Sequence, residues 1–181
     1  MKVILNQGAN LSLSLFGIED GEQTIDGALA AERKTLIDNF GLNGDQFDFP
    51  TNGSGTPDSR AAPRALVDLL IRMHGTEVAE EYRDALPVLG VDGSLATTGT
   101  DLPRKGQVFA KPGTTIAPGD DGKTIELKAQ NLAGYIETKS GRLVAYALMV
   151  NDVGAVEDIE TDVSPVITDE ARISSIIYEN L

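Results

Sequence analysis

The sequence lacks cysteine and tryptophan and has a single histidine, His74, among its 181 residues. Without cysteine the chain has no thiolate nucleophile, no disulfide and no cysteine ligands for structural zinc. One histidine cannot form a multi-histidine metal site, and a Ser-His-Asp triad would have to use that residue. We therefore predict no metal and no cofactor.

Basic residues and long apolar runs are also scarce. The chain has 15 basic against 28 acidic residues, a net charge of −13. Such a chain repels a phosphate backbone and offers no basic stripe, which argues against nucleic acid as a partner. No apolar run reaches the length of a membrane span, and the apolar stretch in the first eight residues is too short for the hydrophobic region of a signal peptide. With 41% hydrophobic residues, residues 1–181 are predicted to form a single domain.

Apolar residues at helical spacing dominate the first half of the chain. Residues 1–17 are predicted to be partly helical, with a stop at Gly17. A second helix begins after the N-cap Thr24 and ends at Gly41, and a third runs from Pro63 to Gly75. A shorter helix is predicted over residues 76–86. Residues 42–61 follow neither period and are predicted to form a loop.

The second half favours strands. They are predicted over residues 107–111, 124–129, 131–138 and 142–150, the last covered on both faces. Residues 152–162 are predicted to be a solvated acidic loop. A final helix over residues 169–178, capped by Thr168, should turn Ile173, Ile176 and Ile177 inward. This order predicts an α+β fold, an antiparallel sheet with flanking helices.

Several motifs suggest chemistry only weakly. A hydrolase nucleophile elbow has glycine two residues before and two residues after its serine, whereas Ser54 has Asn52 and Thr56 there, so a turn is favoured. His74, in the last turn of a helix, is better explained as a helix cap than as a catalyst. The acidic stretches at 120–122 and 152–162 lack the oxygen spacing of a dedicated Ca²⁺ site. We interpret all of these as structural.

Lys111 is the stronger candidate. It is predicted to end a strand and is followed by Pro112, Gly113, Thr114 and Thr115. Its ammonium and two hydroxyls could converge beside an edge backbone, and such a cluster would bind a carboxylate. Taken alone, the motif is more typical of a surface turn.

The order of several segments is more specific. It resembles the C-terminal part of the serine-type D-alanyl-D-alanine carboxypeptidases of the penicillin-binding class, peptidase family S13, in particular the group with carboxypeptidase and endopeptidase activity. The segments that carry the resemblance are residues 6–11, 53–55 with the helix after Pro63, 86–95, the strand with Lys111, 131–136, 140–142 and 145–151. The resemblance spans nearly the whole chain.

The family uses three signatures, Ser-x-x-Lys, Ser-x-Asn and Lys-Thr-Gly. The third corresponds to Lys111, Pro112 and Gly113, with proline in place of threonine. The second corresponds to residues 4–6, with Ile4 in place of serine and Asn6 retained. The first is absent, because no serine in the sequence is followed three residues later by lysine. The resemblance therefore implies the C-terminal part of a penicillin-binding transpeptidase/β-lactamase-like fold, with no catalytic residue in this chain and an extracytoplasmic location.

The resemblance also implies roles for substrate-binding residues. Lys111 and Thr114, with Gly113 between them, would hold the carboxylate of a peptidoglycan D-Ala-D-Ala peptide or a β-lactam, and Asn6 would bind the substrate amide. Ile4 cannot transfer a proton, and Pro112 removes an N–H and a hydroxyl.

Two alternatives stay open, a catalytically inactive module that binds or scaffolds in the cell envelope and an unrelated acidic interaction domain. In the family's fold the strand from Arg142 to Val150 pairs with earlier strands that this sequence lacks. We therefore expect a homo-oligomer through that edge, or through the apolar surface that the absent strands leave.

Overall fold

Five α-helices and five β-strands form the part of the chain that the structure, a computed structural model, describes: residues 1–3, 5–51, 57–103 and 105–181. The helices are α1 (Asn6–Glu19), α2 (Ile25–Asp38), α3 (Pro63–His74), α4 (Ala79–Asp84) and α5 (Ser164–Asn180). The strands are β1 (Phe47–Asp48), β2 (Arg60–Ala61), β3 (Val108–Pro118), β4 (Ile125–Glu137) and β5 (Leu143–Ala155). All strand pairs are antiparallel, which confirms the α+β prediction.

The chain divides into two compact units. We call Ile4–Arg72 the helical unit, and Met1–Val3 together with Met73–Leu181 the sheet unit. This division does not test whether the chain folds as one domain, so that assignment stays a prediction. Among the described residues no helix has the length and apolar character that crossing a bilayer requires.

Helix α2 begins where its cap predicts. The Thr24 hydroxyl accepts a hydrogen bond from the Gly27 N–H at 3.0 Å, and Ile25 is the first helical residue. Helix α1 does not stop at Gly17 as predicted but continues to Glu19. A Cβ at Gly17 would lie 2.5 Å from the Cβ of Ala28, so this glycine allows close packing of α1 against α2.

The predicted loop at 42–61 contains a small hairpin, in which Phe47 pairs with Ala61. The Arg33 guanidinium holds it by donating to the backbone oxygens of Phe47 at 2.8 Å and Gly44 at 2.7 Å. This prediction of an unstructured loop was therefore partly wrong, because these contacts come from a distant helix.

The main sheet has the order β3-β4-β5, so β4 is central. The two strands predicted at 124–129 and 131–138 are one continuous strand. The prediction that a strand ends at Lys111 is wrong, because β3 continues to Pro118. Within the described residues β3 is an edge strand, where proline removes no ladder hydrogen bond.

Gly134 sets the spacing between β3 and β4. A Cβ at this position would lie 2.0 Å from the backbone oxygen of Phe109 and 2.6 Å from the Cα of Ala110. The two strands therefore approach each other more closely than any side chain at residue 134 would allow.

Strand β5 is longer and more exposed than predicted. It runs to Ala155, and Tyr146 is its only buried side chain. The predicted coverage on both faces is wrong, because every residue of β5 except Tyr146 is partly or fully exposed. The acidic segment that follows forms a π-helical turn, Ile159–Val163, rather than a loop.

Helix α5 also differs from its prediction. It begins at Ser164, and Thr168 lies inside it, donating its hydroxyl to the Ser164 oxygen at 2.8 Å. Ile173 and Ile176 are 42% and 61% exposed, so the predicted inward stripe is wrong for these two residues, whereas Ile177 packs against the core as predicted. The buried face consists of small and polar residues, namely Glu170, Ala171, Ser174 and Ser175. Helix α4 is shorter than residues 76–86.

The sheet unit has a core cluster between the sheet and α5, formed by Leu89, Leu95, Val108, Ala110, Leu132, Ile136, Tyr146 and Ala171. Since Val108, Ala110 and Leu132 lie on one face of the sheet, the core fixes which face each β3 residue occupies.

Candidate functional site

The candidate site lies on β3 where Lys111 is followed by Pro112, Gly113 and Thr114. Pairing with β4 is one-to-one from Val108 through Thr115, and the first register shift follows Thr115. Successive side chains in such a strand point to opposite faces. Lys111, Gly113 and Thr115 therefore lie on the face opposite the core, whereas Thr114 lies on the same face as the core residues.

The backbone of β3 exposes hydrogen-bonding groups at its outer edge. Leu89 N–H donates to the Val108 oxygen at 3.0 Å, and Ala110 N–H donates to the Pro87 oxygen at 2.9 Å, both across that edge. Because backbone directions alternate along an antiparallel strand, the groups of Pro112 and Thr114 also point outward. No further backbone hydrogen bond reaches this edge in the described residues, so it is open from Pro112 onward.

Lys111 carries a half-buried cation next to this open edge. Its Nζ donates to the Pro112 backbone oxygen at 2.8 Å. Burial lowers the pKa of the ammonium, and in the described ranges no carboxylate forms a salt bridge with it. A partly desolvated cation without a counter-ion is suited to bind an anion.

Gly113 lies between the two predicted contacts and pairs with Asn131. A Cβ at this position would meet only the Asn131 Nδ2, at 3.9 Å. The Lys111 face is therefore open here, and a ligand can approach the backbone.

Thr114 does not bring its hydroxyl to Lys111. The hydroxyl donates to the Gln130 Oε1 at 2.6 Å, on the core face. The predicted convergence of the ammonium with two threonine hydroxyls is wrong, because alternation leaves only Thr115 on the Lys111 face. Thr114 instead contributes its outward backbone N–H and C=O.

Asn6 belongs to the helical unit. It is the first residue of α1, and its side chain is exposed. Its predicted role in binding a substrate amide stays a prediction. Ile4 and Ser54 lie outside the described residues.

Among the other motifs, Asp121 has a structural role in its turn. The carboxylate of Asp121 accepts from the N–H groups of Lys123 and Thr124, which lowers its pKa and closes a turn. The His74 ring lies 6.3 Å from the Tyr135 ring, centroid to centroid. Across the ranges that the structure describes, no three His, Asp or Glu residues are grouped as metal ligands.

Sequence reasoning missed Gln130 and Glu170. Both are buried, and the Gln130 Nε2 donates to the Glu170 Oε2 at 3.0 Å. Burial raises the pKa of Glu170 to about 7, against the opposing effect of the Gln130 hydrogen bond. The only sequence signal was the small-residue stripe of Ala171, Ser174 and Ser175 beside Glu170.

Comparisons with known proteins agree with this fold. A model of the D-Ala-D-Ala carboxypeptidase 3 (S13) family matches residues 6–168. A comparison with curated proteins found no match. Penicillin binding protein 4 from Haemophilus influenzae, complexed with a β-lactam, is similar with a TM-score of 0.76 and 21% identity over 99% of this chain and 40% of that chain.

A second structure of the same Haemophilus protein gives a TM-score of 0.72 and 23% identity over 96% of this chain and 37% of that chain. A predatory endopeptidase from Bdellovibrio bacteriovorus, in complex with an immunity protein, gives a TM-score of 0.61 and 21% identity over 95% of this chain and 41% of that chain. These likenesses show the fold, and the chain spans about two fifths of the length of those proteins.

Proposed function

The chain belongs to the D-Ala-D-Ala carboxypeptidase 3 (S13) family, and from that membership we propose that it supplies the substrate-binding strand of a serine-type D-Ala-D-Ala carboxypeptidase. The substrate would be a peptidoglycan stem peptide, and a β-lactam would occupy the same place. The observation that carries this proposal is the half-buried ammonium of Lys111 beside an open strand edge.

A peptide bound to this edge would lie extended along β3. The N–H and C=O of Thr114 would form main-chain hydrogen bonds with it, as in strand addition to a sheet. The Lys111 ammonium would donate hydrogen bonds to the terminal carboxylate of the peptide, and to do so it must give up its hydrogen bond to the Pro112 oxygen. Thr115, on the same face, offers a hydroxyl. In this arrangement Thr114 acts through its backbone, and Asn6 is assigned the substrate amide by family membership.

Chemistry on this peptide needs a nucleophile that the chain does not contain. A serine hydroxyl must attack the penultimate carbonyl and become acylated as the peptide bond breaks and D-alanine leaves, and the Ser-x-x-Lys pair that activates such a serine is absent from these 181 residues. This chain is therefore assigned binding and orientation. Because the substrate is peptidoglycan, the site of action would be extracytoplasmic.

A second function is favoured by the replacements at the family signatures. Ile4 stands where a proton-transferring serine is expected, and Pro112 lacks the N–H and hydroxyl of threonine. The change at Ile4 removes a group that serves catalysis, whereas the change at Pro112 weakens peptide binding without preventing it. The second candidate is thus a catalytically inactive module that binds stem peptides in the cell envelope.

Peptide binding is tested by NMR titration of the chain with acetylated L-Lys-D-Ala-D-Ala. We expect shifts at the amides of residues 111–115 and loss of binding in Lys111→Met. The matched control is Lys123→Met in the exposed turn at 120–124, which should bind normally. The C-terminal amide of the same peptide should bind weakly, because it lacks the carboxylate. Equal binding of acid and amide would contradict the assignment of Lys111.

Reaction with benzylpenicillin distinguishes the enzyme from the inactive binding module. The chain alone should give no covalent adduct in intact-mass spectrometry, since it lacks an activated serine. A stoichiometric mass increase would show that a serine of this chain is a nucleophile. If a longer protein with this chain carries Ser-x-x-Lys and is acylated, the enzyme is supported; if it binds peptide without acylation, the inactive module is supported.

A further inference from the structure

Behind the candidate edge, three side chains form a hydrogen-bonded series from the surface into the core. The Thr114 hydroxyl donates to Gln130 Oε1 at 2.6 Å, and Gln130 Nε2 donates to Glu170 Oε2 at 3.0 Å. Gln130 is 0% exposed and Glu170 is 2% exposed. The other oxygen, Glu170 Oε1, is buried and has no hydrogen-bond partner in the described chain. A buried carboxyl group with one oxygen unpaired is costly to ionise.

Burial, rather than a neighbouring charge, controls this carboxyl group. Desolvation raises its pKa to about 7, and the Gln130 hydrogen bond alone opposes that rise. The charged residue Lys128 lies on β4, the strand that carries Gln130, and its ammonium is already paired with Glu126 and Asp120. From β5, the Tyr146 phenol faces the next turn of α5 and accepts from the Ser174 hydroxyl at 3.2 Å.

Charged residues on the remaining elements are also engaged elsewhere. On the π-helical turn at 159–163, the Asp162 carboxylate accepts from the N–H groups of Glu157 and Asp158, and the nearby acids Asp158 and Glu160 are exposed. On α5 itself, Asp169 pairs with Arg172 at the surface. Glu170 therefore responds to pH as an isolated buried acid.

The protonation state of Glu170 decides how Gln130 can be oriented. An ionised Glu170 carboxylate only accepts hydrogen bonds, so the Nε2 of Gln130 must face it. The Oε1 of Gln130 then faces Thr114. Thr114 must then donate its single hydroxyl proton inward, which fixes its side chain. A protonated Glu170 can itself donate, so both amide orientations are allowed and Thr114 is released from that constraint.

We propose that Glu170 is a positioning residue which, through Gln130, holds Thr114 and thereby the strand edge where the peptide binds. This inference rests on the proposed function, because the edge matters only if it receives a peptide. Ionised Glu170 orders Thr114, whose outward N–H and C=O would pair with the peptide, and ordering a binding edge in advance raises affinity.

The coupling has a measurable size and must be reciprocal. We expect peptide affinity to rise about fivefold as Glu170 ionises, within the range typical of coupling between sites. By linkage, the bound peptide must then lower the pKa of Glu170 by about 0.7, since the same free energy appears in both equilibria.

The first arm of the test needs no peptide. The pKa of Glu170 is read from its side-chain carboxyl ¹³C shift, and the response of the Gln130 side-chain amide and the Thr114 backbone amide is followed over the same range. The three chemical shifts should change together with a midpoint near the Glu170 pKa. In Glu170→Gln the shifts of the two amides should no longer change there. A Thr114 amide that ignores the Glu170 titration would overturn the proposal, whatever the peptide does.

The second arm measures affinity for acetylated L-Lys-D-Ala-D-Ala from about pH 5 to about pH 9, a range that spans the Glu170 titration. The affinity of wild type should rise as the pH passes through the Glu170 titration. Glu170→Gln should lack this rise, because every other titratable group is the same. Thr114→Val should also lack it, and Thr114→Ser, which keeps the hydroxyl, should restore it. Identical profiles for wild type and Glu170→Gln would contradict the proposal.

The two arms distinguish this proposal from the function on which it rests. If the amides titrate together but no peptide binds at any pH, the proposed function fails and the control of Thr114 by Glu170 stands. If Glu170→Gln were to unfold, the wild-type titration with and without peptide still decides the matter, since an unchanged Glu170 pKa on binding would exclude the coupling.

Discussion

Pro112 lies opposite Leu132 in the β3–β4 ladder, and its ring nitrogen faces the outer edge of the sheet. The nitrogen carries no hydrogen, yet no ladder bond is lost, because the missing donor would have pointed away from β4. The proline therefore alters what the edge offers to a ligand without breaking the sheet.

Restoring the family residue should strengthen peptide binding. Pro112→Thr adds an outward N–H and, by strand alternation, a hydroxyl on the core face, and one new hydrogen bond from that N–H contributes about 0.5 to 1.5 kcal/mol. We expect affinity for acetylated L-Lys-D-Ala-D-Ala to rise about two- to tenfold by calorimetry. Pro112→Ala supplies the N–H alone and separates the two groups. Unchanged affinity in both variants would mean that the peptide does not pair with this position.

The outer edge of β5 is expected to mediate self-association. Thr138 N–H donates to the Arg142 oxygen, and continuing this alternation through the β4–β5 register makes Ala147 an outward-facing residue. Light scattering with size exclusion should show a dimer or larger species at micromolar concentration. Ala147→Pro should reduce it, since proline removes an edge donor but no ladder bond. Ala147→Val keeps the N–H and is the control; a monomeric wild type would contradict the expectation.

Glu170 should make folding stability fall as pH rises. Its pKa is about 7 in the folded chain against an ordinary value of 4.5, so between those values the folded state keeps a proton that the unfolded state has lost. The free energy of unfolding should therefore decrease across this interval, by on the order of 3 kcal/mol, and level off above it.

Urea unfolding of wild type and Glu170→Gln at about pH 4.5 and about pH 8 measures this contribution. Carboxylates with lowered pKa values, such as Asp121 and Asp162, act in the opposite direction but are shared by both proteins. The variant should gain stability relative to wild type at the higher pH. A constant difference at both pH values would show that Glu170 does not titrate between them.

Gly134 should tolerate no side chain. Gly134→Ala places a methyl group 2.0 Å from the Phe109 oxygen, and overpacking of this kind costs about 1 to 3 kcal/mol or more. Gly113→Ala, on the neighbouring strand, is the matched control because its Cβ meets only Asn131 at 3.9 Å. Comparable unfolding midpoints for the two variants would show that the strands can separate at Gly134.

Local signals predicted some elements well. Thr24 and Pro63 mark the starts of α2 and α3 because capping and the fixed proline φ act within one turn. The strand that contains Lys111 was harder to predict, because proline and glycine favour a turn unless the segment is an edge strand. Whether it is an edge strand depends on its pairing with β4, which a local sequence pattern does not show.

The site was predictable only in part. Lys111 could be identified because the resemblance fixed its place among other segments. The direction of the Thr114 hydroxyl depends on strand alternation through residues 108–115, and the predicted strand ended too early to show it. Glu170 was unpredictable for a different reason, because a glutamate in a helix usually faces solvent and only tertiary packing buries it.

The close approach of β3 to β4 at Gly134 also affects how sequence variation in this family should be interpreted. A glycine kept at this position in related chains would reflect a steric limit of the sheet, not a part in catalysis. Conversely, a relative with a side chain there must space these strands differently, and its counterpart of Lys111 would be displaced with them. The residue at this one position therefore indicates whether the site geometry described for this chain can be transferred to another sequence.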